Sequence, residues 1–171
     1  MEQLLREYAA HDLDQAHLST IWKDLDNLPA RYGQPEGLAL VIREAPHSKA
    51  IACGAFARTR VSGLCEIKRI YVTPDHRHRG HATRVIQALL GHATQAGYTQ
   101  AALSTWRSNT SSLALYANLG FAPVPLSKNT PTPTCCTSAW LCLAPDGRPI
   151  AMITLKNVTL RRSAKVLLNS A

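Results

Sequence analysis

The chain of 171 residues has no long run of apolar residues. No stretch approaches the ~18 consecutive apolar residues that are read as a membrane-spanning helix. The opening segment, MEQLLREYAAHD, carries charges in its first turns and lacks the apolar core of a secretory signal peptide. We therefore expect a cytoplasmic protein with no membrane partner.

Cysteine is scarce and irregularly placed. The five cysteines, Cys53, Cys65, Cys135, Cys136 and Cys142, include no C-x-x-C pair, and their odd number leaves one without a partner. A disulfide framework or a structural zinc site needs a regular spacing of cysteines. We therefore interpret all five as reduced packing residues.

Acidic and aromatic residues are also few. The chain has 11 acidic residues against 19 lysines and arginines, a formal net charge of +8, and 6% aromatic residues. The charge favours an acidic partner. Nucleic acid is disfavoured, because rings for base stacking are few and the basic residues are dispersed outside 77–81 and 161–165. A multiply phosphorylated cofactor satisfies the same electrostatics.

The clearest pattern that is present is a strand at 65–72, CEIKRIYV. Apolar residues alternate with charged ones in this segment, as on a half-buried surface. Tyr71 breaks the alternation, which indicates either a β-bulge or burial on both faces near the strand end. Pro74 lacks a backbone donor, so the strand ends by about Thr73.

A turn and a helix follow this strand. The turn contains Arg77, Arg79 and Gly80, and the helix shows an apolar stripe over 83–93 with Gly97 placed to cap its end. A glycine there lets consecutive N–H groups point into one concavity at the helix N-terminus, which suits a phosphate. Guanidinium groups add charge beside it. A plain left-handed turn is the alternative reading.

The motif R-x-x-G-x-A at 77–82, preceded by EIKRIYV, resembles the central motif of the GCN5-related N-acetyltransferase (GNAT) family. Residues 109–121 resemble a second motif of that family, N-x-x-A-x-x-L-Y-x-x-x-G-F, with Ser112 in place of the usual alanine. The approach to the first long strand resembles a small single-domain branch of the family at Leu28, Pro29, Tyr32, Pro35 and Gly37. The resemblance covers about residues 10 to 144 and is specific for the family, but not for the acyl acceptor.

The resemblance implies transfer of an acetyl group from acetyl-CoA to the primary amine of a small molecule. The loop would then bind the pyrophosphate of acetyl-CoA, and the end of the strand would lie along its pantetheine. The cofactor-binding residues implied in this way are Ile70, Tyr71, Val72, Arg77, His78, Arg79, Gly80, His81, Ala82, Thr83 and Asn109.

The resemblance also implies two catalytic residues. Tyr116 would protonate the leaving thiolate, and Glu66 would act as the base for the amine, directly or through water. A backbone N–H near Val72 would polarise the thioester carbonyl. From the residues alone, Tyr116 is more often a core aromatic, and Glu66 is equally well an ion-pair partner of Lys68 or Arg69.

Three histidines, His76, His78 and His81, lie close together in the loop. Their spacing is not that of an H-E-x-x-H site, and Asp75 is the one carboxylate spaced with them. We therefore predict no metal. As residues facing a phosphate, the histidines would donate hydrogen bonds and gain positive charge below about pH 6.5.

The order of elements predicts an α+β fold. Two helices broken near His11 account for the apolar spacing over 2–28, and Asp24 and Asp26 near the end of the second are read as a solvated helix face. The apolar runs 38–42 and 51–56 predict an antiparallel hairpin.

The second half of the chain predicts a βαβ unit. The run 101–105 follows the helix and lies parallel to 65–72 through a right-handed crossover. A short helix over 109–120 comes next. The GNAT resemblance implies a mixed sheet in which the antiparallel N-terminal strands precede this unit, its two parallel strands splay apart, and helices flank the sheet.

We divide the chain into a GNAT-like domain, 1–144, and a C-terminal extension, 145–171, which is part of the same domain or a subunit contact. The Pro-rich stretch 122–137 predicts a loop over the acceptor site. Strands at 139–143 and 150–155 predict a hairpin, whose unpaired outer edge would favour a homodimer.

Two further readings of the function stay open. The acceptor could be a protein lysine or N-terminus, which needs an open groove where the loop suggests a closed one. The chain could also be a non-enzymatic basic module that binds CoA or nucleic acid.

Overall fold

The computed structural model describes residues 1–11, 19–105, 109–124, 150–154 and 169–170. The fold is mixed α and β, as predicted. Within the described residues, the observed strands and most helices begin and end within a few residues of the predicted bounds, but the predicted second helix is divided in two. A 3-10 turn, Pro74–His76, follows β3. In chain order, the elements are α1 (Glu2–His11), α2 (Ile21–Asp26), α3 (Leu28–Tyr32), β1 (Leu38–Arg43), β2 (Ala50–Arg58), β3 (Leu64–Val72), α4 (His81–Gln95), β4 (Gln100–Ser104), α5 (Thr110–Asn118), β5 (Ala122–Val124), β6 (Ile150–Thr154) and β7 (Asn169–Ser170).

The strands form one sheet in the order β5-β6-β4-β3-β2-β1-β7. β1 and β2, and β2 and β3, are antiparallel neighbours. β3 and β4 are parallel and pair at Leu64–Gln100, Cys65–Ala101 and Glu66–Ala102. β3 continues to Val72, so the two strands separate beyond Glu66. The predicted splay is confirmed.

Helix α4 covers one face of the sheet, because its apolar stripe is buried against β1, β2 and β3. Val85, Ile86, Leu89 and Leu90 are its buried anchors. Gly54 of β2 permits this close packing, since a Cβ there would lie 2.5 Å from Cγ1 of Val85. Helix α1 covers part of the other face, where its side chains pack with Val41, Cys53 and Tyr71; its buried residues are Leu4, Leu5 and Ala9.

A β-bulge in β3 explains the broken alternation at Tyr71. The β2–β3 register passes from Cys53–Tyr71 to Ala55–Lys68, so two residues of β3 face one residue of β2. Arg69, within the bulge, has a φ of 58°. Beyond the bulge, Tyr71 packs with α1, whereas its two neighbours pack toward α4. The bulge interpretation is therefore confirmed.

The structure corrects the interpretation of Asp24. The predicted second helix is divided into α2 and α3, and Asp24 is buried rather than solvated, with 2% of its surface exposed. Its carboxylate accepts a hydrogen bond from Nε of Arg69 at 2.7 Å and another from the hydroxyl of Tyr32. Asp26 is exposed.

The structure shows that the strand at 150–154 is not the outer edge of the predicted hairpin, and the homodimer stays a prediction. β6 lies between β4 and β5 and pairs with both, so it is not an unpaired edge. The predicted strand at 139–143 and most of the predicted loop at 122–137 lie outside the described residues. Within the part of the chain that the structure describes, no helix is long and apolar enough to cross a membrane.

Cys53 and Cys65 are free and buried, in agreement with the interpretation as packing residues. Burial raises the pKa of each thiol to about 12, so both are protonated at neutral pH. The other three cysteines lie outside the described residues.

Candidate active site

The loop between β3 and α4 forms an open concavity at the helix N-terminus. Gly80 is the N-cap of α4 with a φ of 78°, and it supplies no side-chain hydrogen bond to the first turn. The first N–H groups of a helix have no intrahelical partner. His78 is also left-handed, with a φ of 60°. A Cβ at position 80 would meet no described atom within 4 Å, so the backbone is open to a ligand.

These features are compatible with a bound phosphate. Two left-handed residues, His78 and Gly80, lie directly before the helix, and the helix dipole adds positive potential at its N-terminus. Ala82 and Thr83 lie in this first turn and are half-buried. The predicted cofactor residues over 78–83 are therefore brought together.

The two arginines of the loop differ in their contacts. Arg79 is exposed beside Gly80. Arg77 is half-buried, its Nε donates to the carbonyl oxygen of Val72 at 3.1 Å, and its guanidinium carbon lies 5.8 Å from the ring centre of Tyr71. Arg77 thus fastens the loop to the end of β3, whereas Arg79 is free to move toward a ligand.

The loop histidines contact one another and Glu44 rather than a metal site. His76 Nδ1 lies 2.8 Å from Oγ1 of Thr73, and its Nε2 lies 3.6 Å from Oε1 of Glu44. The rings of His76 and His81 are 6.4 Å apart. Within the described ranges, no group of three or more His, Cys, Asp or Glu side chains is placed to hold a metal ion.

The pKa of His81 is lowered from its ordinary value. Burial is the largest cause, and the positive charges of Arg84, His76 and Arg79 add to it, against an opposing effect of Glu44. His81 therefore gains its charge at a lower pH than an exposed histidine would. Its Nδ1 is buried and has no described hydrogen-bond partner.

The end of β3 borders the gap between the parallel strands. Ile70 and Val72 pack toward the α4 core, while the ring of Tyr71 faces α1. The pairing of β3 with β4 ends at Glu66. The edge of residues 70–72 that would otherwise pair with β4 therefore faces the gap between the two strands. An extended ligand could hydrogen-bond to this strand edge.

Helix α5 carries Tyr116, which packs against the same apolar cluster as the buried residues of α4. Asn109 is the N-cap of α5, and its Oδ1 accepts from the backbone N–H of Ser112 at 3.2 Å. The ring of Tyr116 packs edge-on against Phe121 with centroids 6.0 Å apart. Burial and the nearby phenol of Tyr8 raise the pKa of Tyr116, against a hydrogen bond with Ser112. The phenol is therefore protonated at neutral pH.

Glu66 lies at the fork where β3 leaves β4. It is 2% exposed, and Oε2 lies 3.5 Å from Nζ of Lys68, which is also buried. The sequence left open whether Glu66 pairs with Lys68 or with Arg69. In the structure Lys68 is its partner, whereas Arg69 binds Asp24. The Nζ of Lys68 makes no hydrogen bond within the described chain. The role of Glu66 as a base stays a prediction.

Two residues of α1 were not predicted to belong to the site. The hydroxyl of Tyr71 donates to Oε1 of Glu7 at 2.8 Å, and the ring of Tyr8 lies 5.3 Å from that of Tyr71 with a tilt of 31°. The apolar spacing of α1 indicated that Tyr8 faces inward. No local pattern indicated that Glu7 meets β3.

Comparisons with known proteins agree with this architecture. The sequence model of the acetyltransferase (GNAT) family matches residues 2–121. An uncharacterized N-acetyltransferase of Schizosaccharomyces pombe is 26% identical over 132 residues, which are 77% of this chain and 80% of that protein. This chain belongs to the acetyltransferase (GNAT) family, as its two motifs predicted.

Solved structures show the same fold. An acetyltransferase of the GNAT family from Staphylococcus aureus has a TM-score of 0.69 at 18% identity, over 90% of this chain and 92% of that chain. The PaiA N-acetyltransferase from Thermoplasma acidophilum, solved in complex with coenzyme A, has a TM-score of 0.61 at 15% identity, over 90% and 89% of the two chains.

Proposed function

We propose that this protein transfers the acetyl group of acetyl-CoA to the primary amine of a small molecule. The observation that carries the proposal is the combination of two features on β3: the strand leaves β4 beyond Glu66, and it leads into an open left-handed loop at the N-terminus of α4. A similar structure has been solved with coenzyme A, which supports a CoA thioester as the co-substrate.

The loop and the strand edge would hold acetyl-CoA, which supplies an activated acetyl group on a thioester. Backbone N–H groups over 78–83 bind the pyrophosphate, and Arg79 adds a guanidinium fork. Residues 70–72 bind the amides of the pantetheine. Asn109 caps α5 and so contributes through the position of that helix.

The acyl-transfer step requires a hydrogen-bond donor at the thioester carbonyl. We assign this role to a backbone N–H near Val72, on the strand edge that faces the gap. A fixed donor aimed at the developing oxyanion stabilises the transition state, and removal of such a donor typically costs about 3 kcal/mol. The donor belongs to the backbone, so among substitutions only proline removes it.

Glu66 would accept the proton of the amine through water, since its carboxylate is buried. An ammonium with a pKa near ~10.4 is neutral in only about one molecule in a few thousand at pH 7, so a base is valuable. Lys68 stabilises the charged form of the Glu66 carboxylate, which must be ionised to act. The amine nitrogen then bonds to the carbonyl carbon as the carbon–sulfur bond breaks.

Tyr116 would donate a proton to the departing thiolate. Ordinary phenol and thiol pKa values near ~10 and ~8.5 make complete transfer unfavourable by about 2 kcal/mol. Because the pKa of Tyr116 is raised further, its first contribution is a hydrogen bond to the thiolate, and solvent restores any proton that it gives up.

Two measurements test the proposal. Titration of acetyl-CoA at moderate salt, beside a DNA duplex of equal charge, should show saturable binding of acetyl-CoA alone. A screen of small amines for acetyl-CoA-dependent release of free thiol should then find an acceptor. Binding of the duplex without binding of acetyl-CoA would contradict the proposal, and turnover of peptides but of no small amine would reassign the acceptor.

A further inference from the structure

Helix α1 meets β3 at the part of the strand that has left β4. Tyr71, five positions after the last β3–β4 pair at Glu66, donates its hydroxyl to Oε1 of Glu7 at 2.8 Å. The ring of Tyr8 lies 5.3 Å from the ring of Tyr71. Tyr71 is buried, whereas Glu7 and Tyr8 are half-buried. One carboxylate and two aromatic rings therefore share one spot beside the gap.

The same spot is close to Tyr116. The phenol of Tyr8 is near enough for its charge to raise the pKa of Tyr116 on α5. Tyr8 of α1 is therefore within electrostatic range of the helix that carries the proposed acid. Three elements, α1, β3 and α5, thus bring side chains to the opening where the acetyl group would be transferred.

Glu7 differs from the two other carboxylates on this side of the sheet. Glu66 and Asp24 are both 2% exposed and form ion pairs with Lys68 and Arg69. Glu7 is half-buried, and its described partner is the neutral hydroxyl of Tyr71. Its carboxylate thus has no lysine or arginine among its described hydrogen-bond partners, in a chain whose formal net charge is +8.

We propose that Glu7, with Tyr8 and Tyr71, forms an acceptor subsite that binds an alkylammonium group. The inference rests on the proposed function and specifies its substrate class: a diamine, whose second ammonium binds Glu7 while its first nitrogen is acetylated. A carboxylate attracts an ammonium, and the face of Tyr8 can attract a cation within about 6 Å of the ring centre. The ring of Tyr71 already has the guanidinium carbon of Arg77 5.8 Å from its centre, so Tyr71 contributes by positioning Glu7 through its hydroxyl. A carboxylate on the acceptor would be repelled from the same place.

The test uses three amines that share a four-carbon chain: putrescine, n-butylamine and γ-aminobutyrate. Thiol release from acetyl-CoA gives kcat and KM for each with the full chain. The wild-type protein should favour putrescine and disfavour γ-aminobutyrate. In Glu7→Gln, which keeps the size and the acceptor for Tyr71, the KM for putrescine should rise at least about tenfold, equal to about 1.4 kcal/mol.

Two controls separate binding from structure. Glu2→Gln alters another acidic residue of α1, one that pairs with Arg6 on the exposed surface, and should leave all three KM values unchanged. The KM for acetyl-CoA and the thermal midpoint should be the same in both variants. Glu7→Asp is a second variant, which keeps the carboxylate on a side chain one methylene shorter. We expect a smaller rise in its KM for putrescine.

The subsite and the proposed function fail in different ways. An unchanged order of preference in Glu7→Gln, or a wild-type preference for γ-aminobutyrate, would overturn the subsite and leave acetyl transfer standing. Where no amine is turned over, calorimetry with putrescine and CoA decides the matter. Putrescine binding that is lost in Glu7→Gln supports the subsite. The absence of putrescine binding by the wild-type protein overturns it. Binding of acetyl-CoA is measured separately.

Discussion

In this site, the surroundings of a side chain determine whether that side chain is charged or neutral. Tyr116 illustrates the point, because its burial keeps the phenol protonated and its packing on Phe121 holds it in place. Glu66 and Lys68 show the opposite case, in which two buried charges stabilise each other at 3.5 Å. Substitutions that change charge but preserve shape are therefore the informative ones.

Tyr116→Phe keeps the ring and its contact with Phe121 but removes the proton donor. We expect acetyl-CoA affinity to be unchanged and kcat to fall by roughly 10² to 10⁴. Steady-state kinetics with an acceptor from the amine screen and calorimetry with acetyl-CoA measure the two effects. Tyr98→Phe is the matched control, since Tyr98 donates to the carbonyl oxygen of Glu36 away from the gap. Normal turnover of a folded Tyr116→Phe would leave Tyr116 as a packing residue.

His81 should make cofactor binding depend on pH. Its lowered pKa means that, between that value and about 6.5, the unfolded chain holds a proton that the free folded protein lacks, so stability rises with pH across this window. A bound phosphate favours the protonated imidazole. Acetyl-CoA affinity should therefore gain as the pH falls through the window.

The comparison with His81→Gln isolates this effect, because the 3′-phosphate of CoA, a monoester with a second pKa near ~6, titrates in the same range. The groups that face His81 are His76, Arg79, Arg84 and Glu44, and all stay unchanged in this variant. Calorimetric titrations of both proteins from about pH 5.5 to 7.5 give the difference. Parallel pH profiles would show that His81 does not face the phosphate.

At the scale of elements, the junction of β3, its loop and α4 is the place where we propose that acetyl-CoA binds. Its parts follow from local rules: Pro74 ends the strand, Gly80 adopts the left-handed conformation, and the apolar stripe of α4 starts one turn later. Both ends of α4 carry a left-handed glycine, since Gly97 has a φ of 89°. This symmetry provides a control for the cofactor loop.

Gly80→Val should weaken acetyl-CoA binding at least about tenfold, because a side chain in that concavity blocks the approach of the pyrophosphate. Gly97→Val imposes comparable backbone strain at the other end of α4, where a Cβ also meets no described atom within 4 Å. Both variants should lose similar stability by thermal unfolding. Only Gly80→Val should lose affinity in calorimetric titration, and equal affinities in the two variants would contradict the assignment of the loop.

At the scale of the whole molecule, a buried polar network joins the N-terminal helices to the sheet. Asp24 of α2 binds Arg69 in the bulge of β3 and Tyr32 of α3, and a second Arg69 nitrogen donates to Thr20 at 2.7 Å. Asp24 and Tyr32 raise the pKa of Arg69 against the effect of burial. The network holds the helices that border the acceptor side at a fixed place on β3.

Arg69→Met should destabilise the protein by about 3 kcal/mol, since it leaves a buried carboxylate without its main partner. Arg31 remains 3.3 Å from Asp24 and limits the loss. Arg58→Met breaks an exposed ion pair with Glu36 and should cost less than about 1 kcal/mol. Chemical denaturation of the three proteins measures both differences. Similar losses in the two variants would mean that the network does not stabilise the fold.

The sequence by itself determined the family, the chain order of most of the described strands and helices, the bounds of β3 and α4 to within a few residues, and the left-handed glycine turn between them. These features are local, because periodicity reports which face of an element is apolar, and a glycine before a helix reports a backbone conformation. The splay was predictable from the GNAT motifs. The bulge remained one of two readings, since an alternation can be broken in more than one way.

Tertiary structure decided which polar side chains meet. Glu7 and Tyr71 are 64 residues apart in the chain, and Arg69 and Asp24 are 45 apart, so no local spacing links them. A charged residue on a helix looks solvated until the fold supplies an opposite charge, as Arg69 does for Asp24. The place of β6 between β4 and β5 depends in the same way on the whole sheet, because pairing is chosen among all strands, whereas periodicity belongs to each strand alone.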